Sequence, residues 1–284
     1  MKRIRLVTIL LALGLLVSGC GRSVQSSSTK KSSSTETQSY VPTLFFHGWG
    51  SSYHAEEHMV QVAVSAGVTH TVVRAIVSKS GKVTLHGQFK PGDLHPIVEV
   101  GFQDNKGSDY HVVGSWAKNV VVALQQTYHI KSFNMVGHSM GNMAIVFYSL
   151  ENSQNKQLPK LRKQVDIAGH FNGILGMDDV ANRMTLTQQG QPTKMTGTYR
   201  ELLGLRRVYP KDQVDVLNIY GDKGDGSHSD GSVSNASSQS LRYLIAGRAK
   251  SYQEQKVTGP NAQHSKLHSN HRVDQLLIKF LWSK

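Results

Sequence analysis

Strand-like and helix-like stretches alternating along residues 40–284 predict an α/β domain with a mostly parallel sheet and helices on both faces. Three observations carry this. Thr43-Leu44-Phe45-Phe46 is a short apolar run of strand length that runs directly into a glycine-rich turn. Residues 112–128 place Val113, Trp116, Val120, Val121 and Leu124 at helical spacing. The 245 residues from Tyr40 onward suit one domain and contain neither an internal repeat nor a second linker.

The elements follow in order. After the strand at 43–46 and the turn His47-Gly48-Trp49-Gly50, apolar positions Met59, Val62, Ala63 and Ala66 predict a helix over 54–66, stopped by Gly67. Strands are expected at 71–77, 82–85 and 97–102, with Ser80-Gly81 turning between the first two. The helix at 112–128 leads to an apolar strand ending near Gly137, and then to a helix through Phe147 and Leu150. Further strands are expected at 165–168 and 214–220, a helix at 240–245, and a final amphipathic helix from about Arg272 to Trp282. Residues 171–212 are longer than a simple crossover and hold a helix candidate at 199–205. Such a segment is either a lid or an excursion that covers the core.

The N-terminus has the layout of a secretory signal. Lys2, Arg3 and Arg5 precede an apolar stretch, Leu6 to Val17, that is short for a membrane span. It ends at Val17-Ser18-Gly19-Cys20, which resembles a bacterial lipobox; Cys20 is the expected lipidation site. Cys20 is also the sole cysteine, which excludes an internal disulfide and a cysteine metal cage. Acyl chains there would hold the protein at a membrane without a span. Residues 1–19 are thus read as the signal, and 20–39, rich in Ser and Thr, as a tether too polar to fold alone.

The formal charge is +13, and removal of residues 1–19 takes away three basic side chains, leaving +10. A positive surface favours residence near an anionic membrane or wall. The basic residues are scattered, with no basic helix or aromatic-interleaved patch, so no nucleic-acid partner is expected.

Gly137-His138-Ser139-Met140-Gly141 is a Gly-x-Ser-x-Gly pentapeptide between a strand and a helix, the setting of a nucleophile elbow. Glycines flank the serine because strand and helix backbones approach too closely for a Cβ. In the chain order Ser…Asp/Glu…His, the acid must follow Ser139. Asp222, Asp225 and Asp230 compete; Asp230 is preferred because Ser229-Asp230-Gly231 with Val233 resembles the Ser-Asp-Gly-x-Val segment in which many hydrolases place the acid, with Asp222 second and Asp225 third. A calcium loop would need EF-hand spacing and a terminal Glu, which this cluster lacks. Of the histidines before the last helix, His264 is the expected base because His264-Ser265-Lys266-Leu267 and Asn270 resemble a His-Ser-x-Leu-x-x-Asn segment ahead of a terminal helix; His268 is second, and His271 belongs to the helix surface. Zinc is disfavoured, since no His-Glu-x-x-His accompanies them. No metal and no cofactor are therefore expected. The oxyanion would be held by the backbone N–H groups of Met140 and Trp49, while His47 anchors its turn.

Phe46-His47-Gly48-Trp49-Gly50, Gly137–Asn142, Ser229-Asp230-Gly231 and His264–Asn270 together resemble the α/β-hydrolases over residues 41–284. They resemble in particular a family of Gram-positive cell-surface hydrolases. Ser232, between Gly231 and Val233, departs from that pattern beside the acid. The resemblance implies an α/β-hydrolase fold and a serine hydrolase mechanism and does not supply a substrate; from the mechanism, the expected partner is a small-molecule or lipid acyl substrate. A peptidase or acyltransferase could use the same triad, and a surface-binding lipoprotein could keep the fold without turnover.

Overall fold

The computed structural model describes residues 39–283, so the signal, Cys20 and most of the tether lie outside the described residues. The described residues lie within one compact unit. In chain order the elements are β1 (Thr43–Phe46), α1 (Glu57–Ser65), β2 (Val72–Val77), β3 (Val83–His86), β4 (Ile97–Phe102), α2 (Tyr110–Tyr128), β5 (Ser132–His138) and α3 (Met140–Asn152). There follow β6 (Lys160–Ile167), α4 (Gly197–Leu202), α5 (Leu205–Val208), β7 (Asp215–Asp222), α6 (Asn235–Gln239), α7 (Leu241–Ile245), β8 (Ser251–Thr258) and α8 (His271–Trp282).

The eight strands form one sheet in the order β3-β2-β4-β1-β5-β6-β7-β8. Only β2 and β3 pair antiparallel. The other strands run parallel and deliver their C-terminal ends to one edge. The sheet separates two cores. One face buries Trp116, Val120 and Leu124 of α2 and Met143, Val146 and Phe147 of α3, together with side chains of α4, α5 and α7. The other face is covered by α1 through Met59, Val60 and Ala63 and by α8 through Val273, Leu277 and Leu281. Burial on both faces explains why β4 is buried along its whole length.

Three differences from the sequence expectation have plain causes. The strand β8, which the sequence pattern does not announce, is an edge strand carrying Gln253, Glu254, Gln255 and Lys256, a composition that suits an exposed edge and hides its periodicity. The strand expected at 165–168 starts earlier, at Lys160, because its first half carries exposed Lys160 and Arg162. The helix expected from residue 54 is split into a 3-10 turn, Tyr53–Ala55, and α1.

The helical end of 171–212 packs as core. Tyr199, Leu202, Leu205 and Tyr209 are fully buried against the cluster that includes α3. Full burial of such side chains contributes roughly 1.5–3 kcal/mol each, too much for this end of the segment to swing freely as a lid. Between Phe171 and Thr196 the chain runs in turns and isolated bridges, such as Leu186 with Pro192, without a helix.

Candidate active site

The parallel strands bring four segments to one edge: the turn after β1, the β5–α3 junction, the loop after β7 and the loop before α8. At the junction, a Cβ on Gly137 would sit 2.7 Å from the backbone of Gly141 and Asn142, and one on Gly141 would overlap the Phe46 carbonyl. Both positions therefore admit only glycine. Between them Ser139 adopts φ 53° and ψ −118°, a conformation that costs about 1–3 kcal/mol and persists only when its surroundings enforce it.

Asn142 supplies much of that enforcement. Its Nδ2 donates to the carbonyls of Ser139 (2.9 Å) and Ile167 (2.8 Å), and its Oδ1 accepts the Ile167 N–H. The Ser139 N–H itself donates to the Ile167 carbonyl at 3.0 Å. The elbow is thus stapled to the end of β6. Sequence reasoning gives Asn142 no role; an amide three residues beyond the serine is the one available signal.

His264 lies between Ser139 and Asp230. Its Nε2 is 2.9 Å from Ser139 Oγ and its Nδ1 is 2.7 Å from Asp230 Oδ2. With the carboxylate taking Nδ1–H, Nε2 is free to accept the serine proton. Asp230, 1% exposed, also accepts the N–H groups of Ser232 (2.8 Å) and Val233 (2.7 Å) on Oδ1. The Asp230 carbonyl accepts the His264 N–H at 2.9 Å, so backbone and side chain hold the histidine together.

The competing residues are engaged elsewhere. Asp222 accepts Gly224 N–H and Asn235 Nδ2, and lies 3.5 Å from Lys256 Nζ. These contacts hold its carboxyl below the usual range despite the opposing effect of burial, which is the largest. Asp225 pairs with Lys223 and Ser227 on the exposed part of the loop. His268 packs edge-on against His138, not against Ser139. His271 is the first residue of α8 and approaches Gln275 on the exposed side of that helix.

The turn His47–Gly50 rests against the elbow: a Cβ on Gly48 would be 3.2 Å from the Ser139 Cβ. His47 donates Nδ1–H to the Gly48 carbonyl (2.8 Å) and accepts the Phe102 N–H on Nε2 (3.1 Å), and burial lowers its pKa. It anchors the turn as a neutral ring. Trp49 is 59% exposed, with its indole N–H on the Lys106 carbonyl. No hydrogen bond among the described residues uses the Trp49 backbone N–H. Met140 is the first residue of α3, where a backbone N–H has no intrahelical acceptor and the helix dipole favours negative charge.

Two buried histidines, His138 and His170, have no role in the sequence reading. His138 donates Nε2–H to the His264 carbonyl at 3.0 Å. His170, just beyond β6, lies 3.2 Å from the Tyr110 hydroxyl, and burial lowers its pKa to about 4, keeping it neutral. Neither position carries a recognisable motif of its own.

No curated protein matches the chain. Among solved structures, the product of gene lin2722 of Listeria innocua superposes with a TM-score of 0.77 at 24% identity, over 86% of this chain and 95% of that one. A Lactobacillus plantarum protein described as a "putative cell surface hydrolase" superposes with a TM-score of 0.67 at 22% identity, over 85% and 91%. These likenesses concern the fold. The family model described as alpha/beta hydrolase of unknown function (DUF915) matches residues 30–284, which is nearly the whole chain, and the protein belongs to that family of α/β-hydrolases.

Proposed function

We propose that this protein is a serine hydrolase that cleaves an ester or related acyl substrate at the cell surface, through Ser139, His264 and Asp230. The observation that carries the proposal is the bridging imidazole, 2.9 Å from Ser139 Oγ and 2.7 Å from Asp230 Oδ2. Ser139 Oγ attacks the acyl carbon as its proton passes to His264 Nε2, and Asp230 stabilises the resulting imidazolium. The N–H groups of Met140 and Trp49 take the oxyanion, an arrangement in which each donor is worth about 3–4 kcal/mol of barrier. Collapse expels the alcohol, which takes the proton from His264. Water, deprotonated by the same nitrogen, then releases the acid and restores the serine.

A fluorophosphonate probe tests the first step. It is expected to label the native protein at one serine and to leave Ser139→Ala unlabelled, with a panel of esters of increasing chain length then ranking substrates. Labelling of Ser139→Ala at the native rate would refute the proposed nucleophile.

The cell-surface address is supported by the signal-like segment ending at Cys20 and by the likeness to the Lactobacillus plantarum protein described as a cell surface hydrolase. Among the described residues no helix is long and apolar enough to cross a membrane. The full-length protein is expected to partition with membranes and Cys20→Ala to be released. Fractionation in high salt screens attraction by the basic surface. Membrane retention of Cys20→Ala under those conditions would exclude lipid as the principal anchor.

A further inference from the structure

The residue preceding the serine has a place of its own in the geometry. His138 ends β5 and is 5% exposed. Its Nε2–H donates to the His264 carbonyl at 3.0 Å. Its ring lies 5.0 Å from the His264 ring and 5.1 Å from that of His268, so it wedges the 3-10 turn His264–Ser269 against the sheet. On its other side the ring faces Gly48, where a Cβ would stand at ordinary contact distance, 3.4 Å from His138 Nδ1.

We infer that His138 is a positioning residue of the reaction: its hydrogen bond to the His264 carbonyl sets the separation between base and nucleophile. This role rests on the Ser139–His264 reading above. His138 and Ser139 are consecutive, so their backbones move together at the elbow. His264 is held at its N–H by the Asp230 carbonyl and at its C=O by His138. The peptide groups on either side of the base are thereby tied to the acid and to the nucleophile, leaving little freedom in the 2.9 Å Oγ–Nε2 contact.

Misplacement of a reacting group by about 1 Å can cost on the order of a hundredfold in rate. The groups facing His138 are the imidazoles of His264, His268 and His170, and burial holds His138 well below the usual histidine range. A neutral ring there adds no repulsion when His264 takes the serine proton.

Three substitutions separate the hydrogen bond from the packing. Glutamine carries its amide nitrogen where histidine carries Nε2 and keeps the donor within reach; asparagine is one bond too short; leucine fills the space without a donor. His138→Leu and His138→Asn are expected to lower kcat roughly 10–100-fold on a soluble ester, with KM unchanged. His138→Gln is expected to recover most of that loss. If His138→Leu fails to fold, the comparison of His138→Gln with His138→Asn still decides.

Equal activity of His138→Gln and His138→Asn, whether both native-like or both impaired, would overturn the inference. Loss expressed in KM alone would do the same. Failure of the underlying reading is distinguishable, because it would appear as turnover by Ser139→Ala regardless of what the His138 variants do.

Discussion

Ser139→Ala is expected to retain the fold and lose on the order of a millionfold in kcat, and His264→Ala to lose about as much, because the members of such a constellation act as a unit. Ser139 is partly exposed, and its Oγ bonds only to the His264 imidazole among the described residues, so the alanine removes little besides chemistry. Asp230→Asn should cost about ten-thousandfold, for a different reason. Asparagine Oδ1 can still accept the N–H groups of Ser232 and Val233, so the loop stays closed. Its amide then faces His264 Nδ1 as a donor and forces the proton onto Nε2, where the ring can no longer accept from Ser139. Steady-state kinetics on a soluble ester, with thermal melts to confirm folding, check all three. A folded His264→Ala with native turnover alongside an inactive His268→Ala would move the base to the other histidine.

The parts of the site that sequence makes legible are those whose chemistry demands a local pattern. Gly137 and Gly141 announce the elbow because a side chain at either would collide with backbone. Asp230 and His264 stand in the order that a strand-ordered sheet needs to return them to Ser139. What stays hidden is tertiary. Asn142 and His138 act through backbone carbonyls of Ile167 and His264, which are distant in sequence. The strand β8 escapes notice because an edge strand with polar side chains looks like a loop. The segment 171–212 is ambiguous between lid and cover, since the burial of Tyr199 and Tyr209 that makes its helical end part of the core depends on what α3 and α7 present to it.

Glu56→Gln is expected to raise stability at alkaline pH by several kcal/mol while changing little at pH 5. Glu56 is 1% exposed, precedes α1, and neither of its carboxylate oxygens has a hydrogen-bond partner. Burial, with a smaller contribution from the Glu99 carboxylate, pushes its pKa up to about 8. Asp166 on β6 is pushed up to about 7 by burial, although Gln164 donates to both of its oxygens.

An acid whose folded pKa exceeds its unfolded value keeps its proton in the native state after the unfolded chain has lost it. Native protein then binds more protons, and stability falls as pH rises, from the unfolded pKa until the folded one is passed. A tenfold difference in proton affinity between the folded and unfolded states is worth about 1.4 kcal/mol. The buried histidines His138 and His170, whose pKa values are lowered, act in the opposite sense and cost stability as pH falls below about 6.5. In the acidic half of the range the two effects oppose each other; between about pH 6.5 and 8 the buried histidines drop out, and His111, whose pKa is raised first by its hydrogen bond to Glu151, declines in the same sense as the carboxyls.

Urea midpoints measured across that interval should decline for the native protein and decline less for Glu56→Gln, which keeps the shape and removes the titration. Parallel curves for the two proteins would mean that Glu56 ionises in the native state with little penalty, and that an unseen partner compensates its charge.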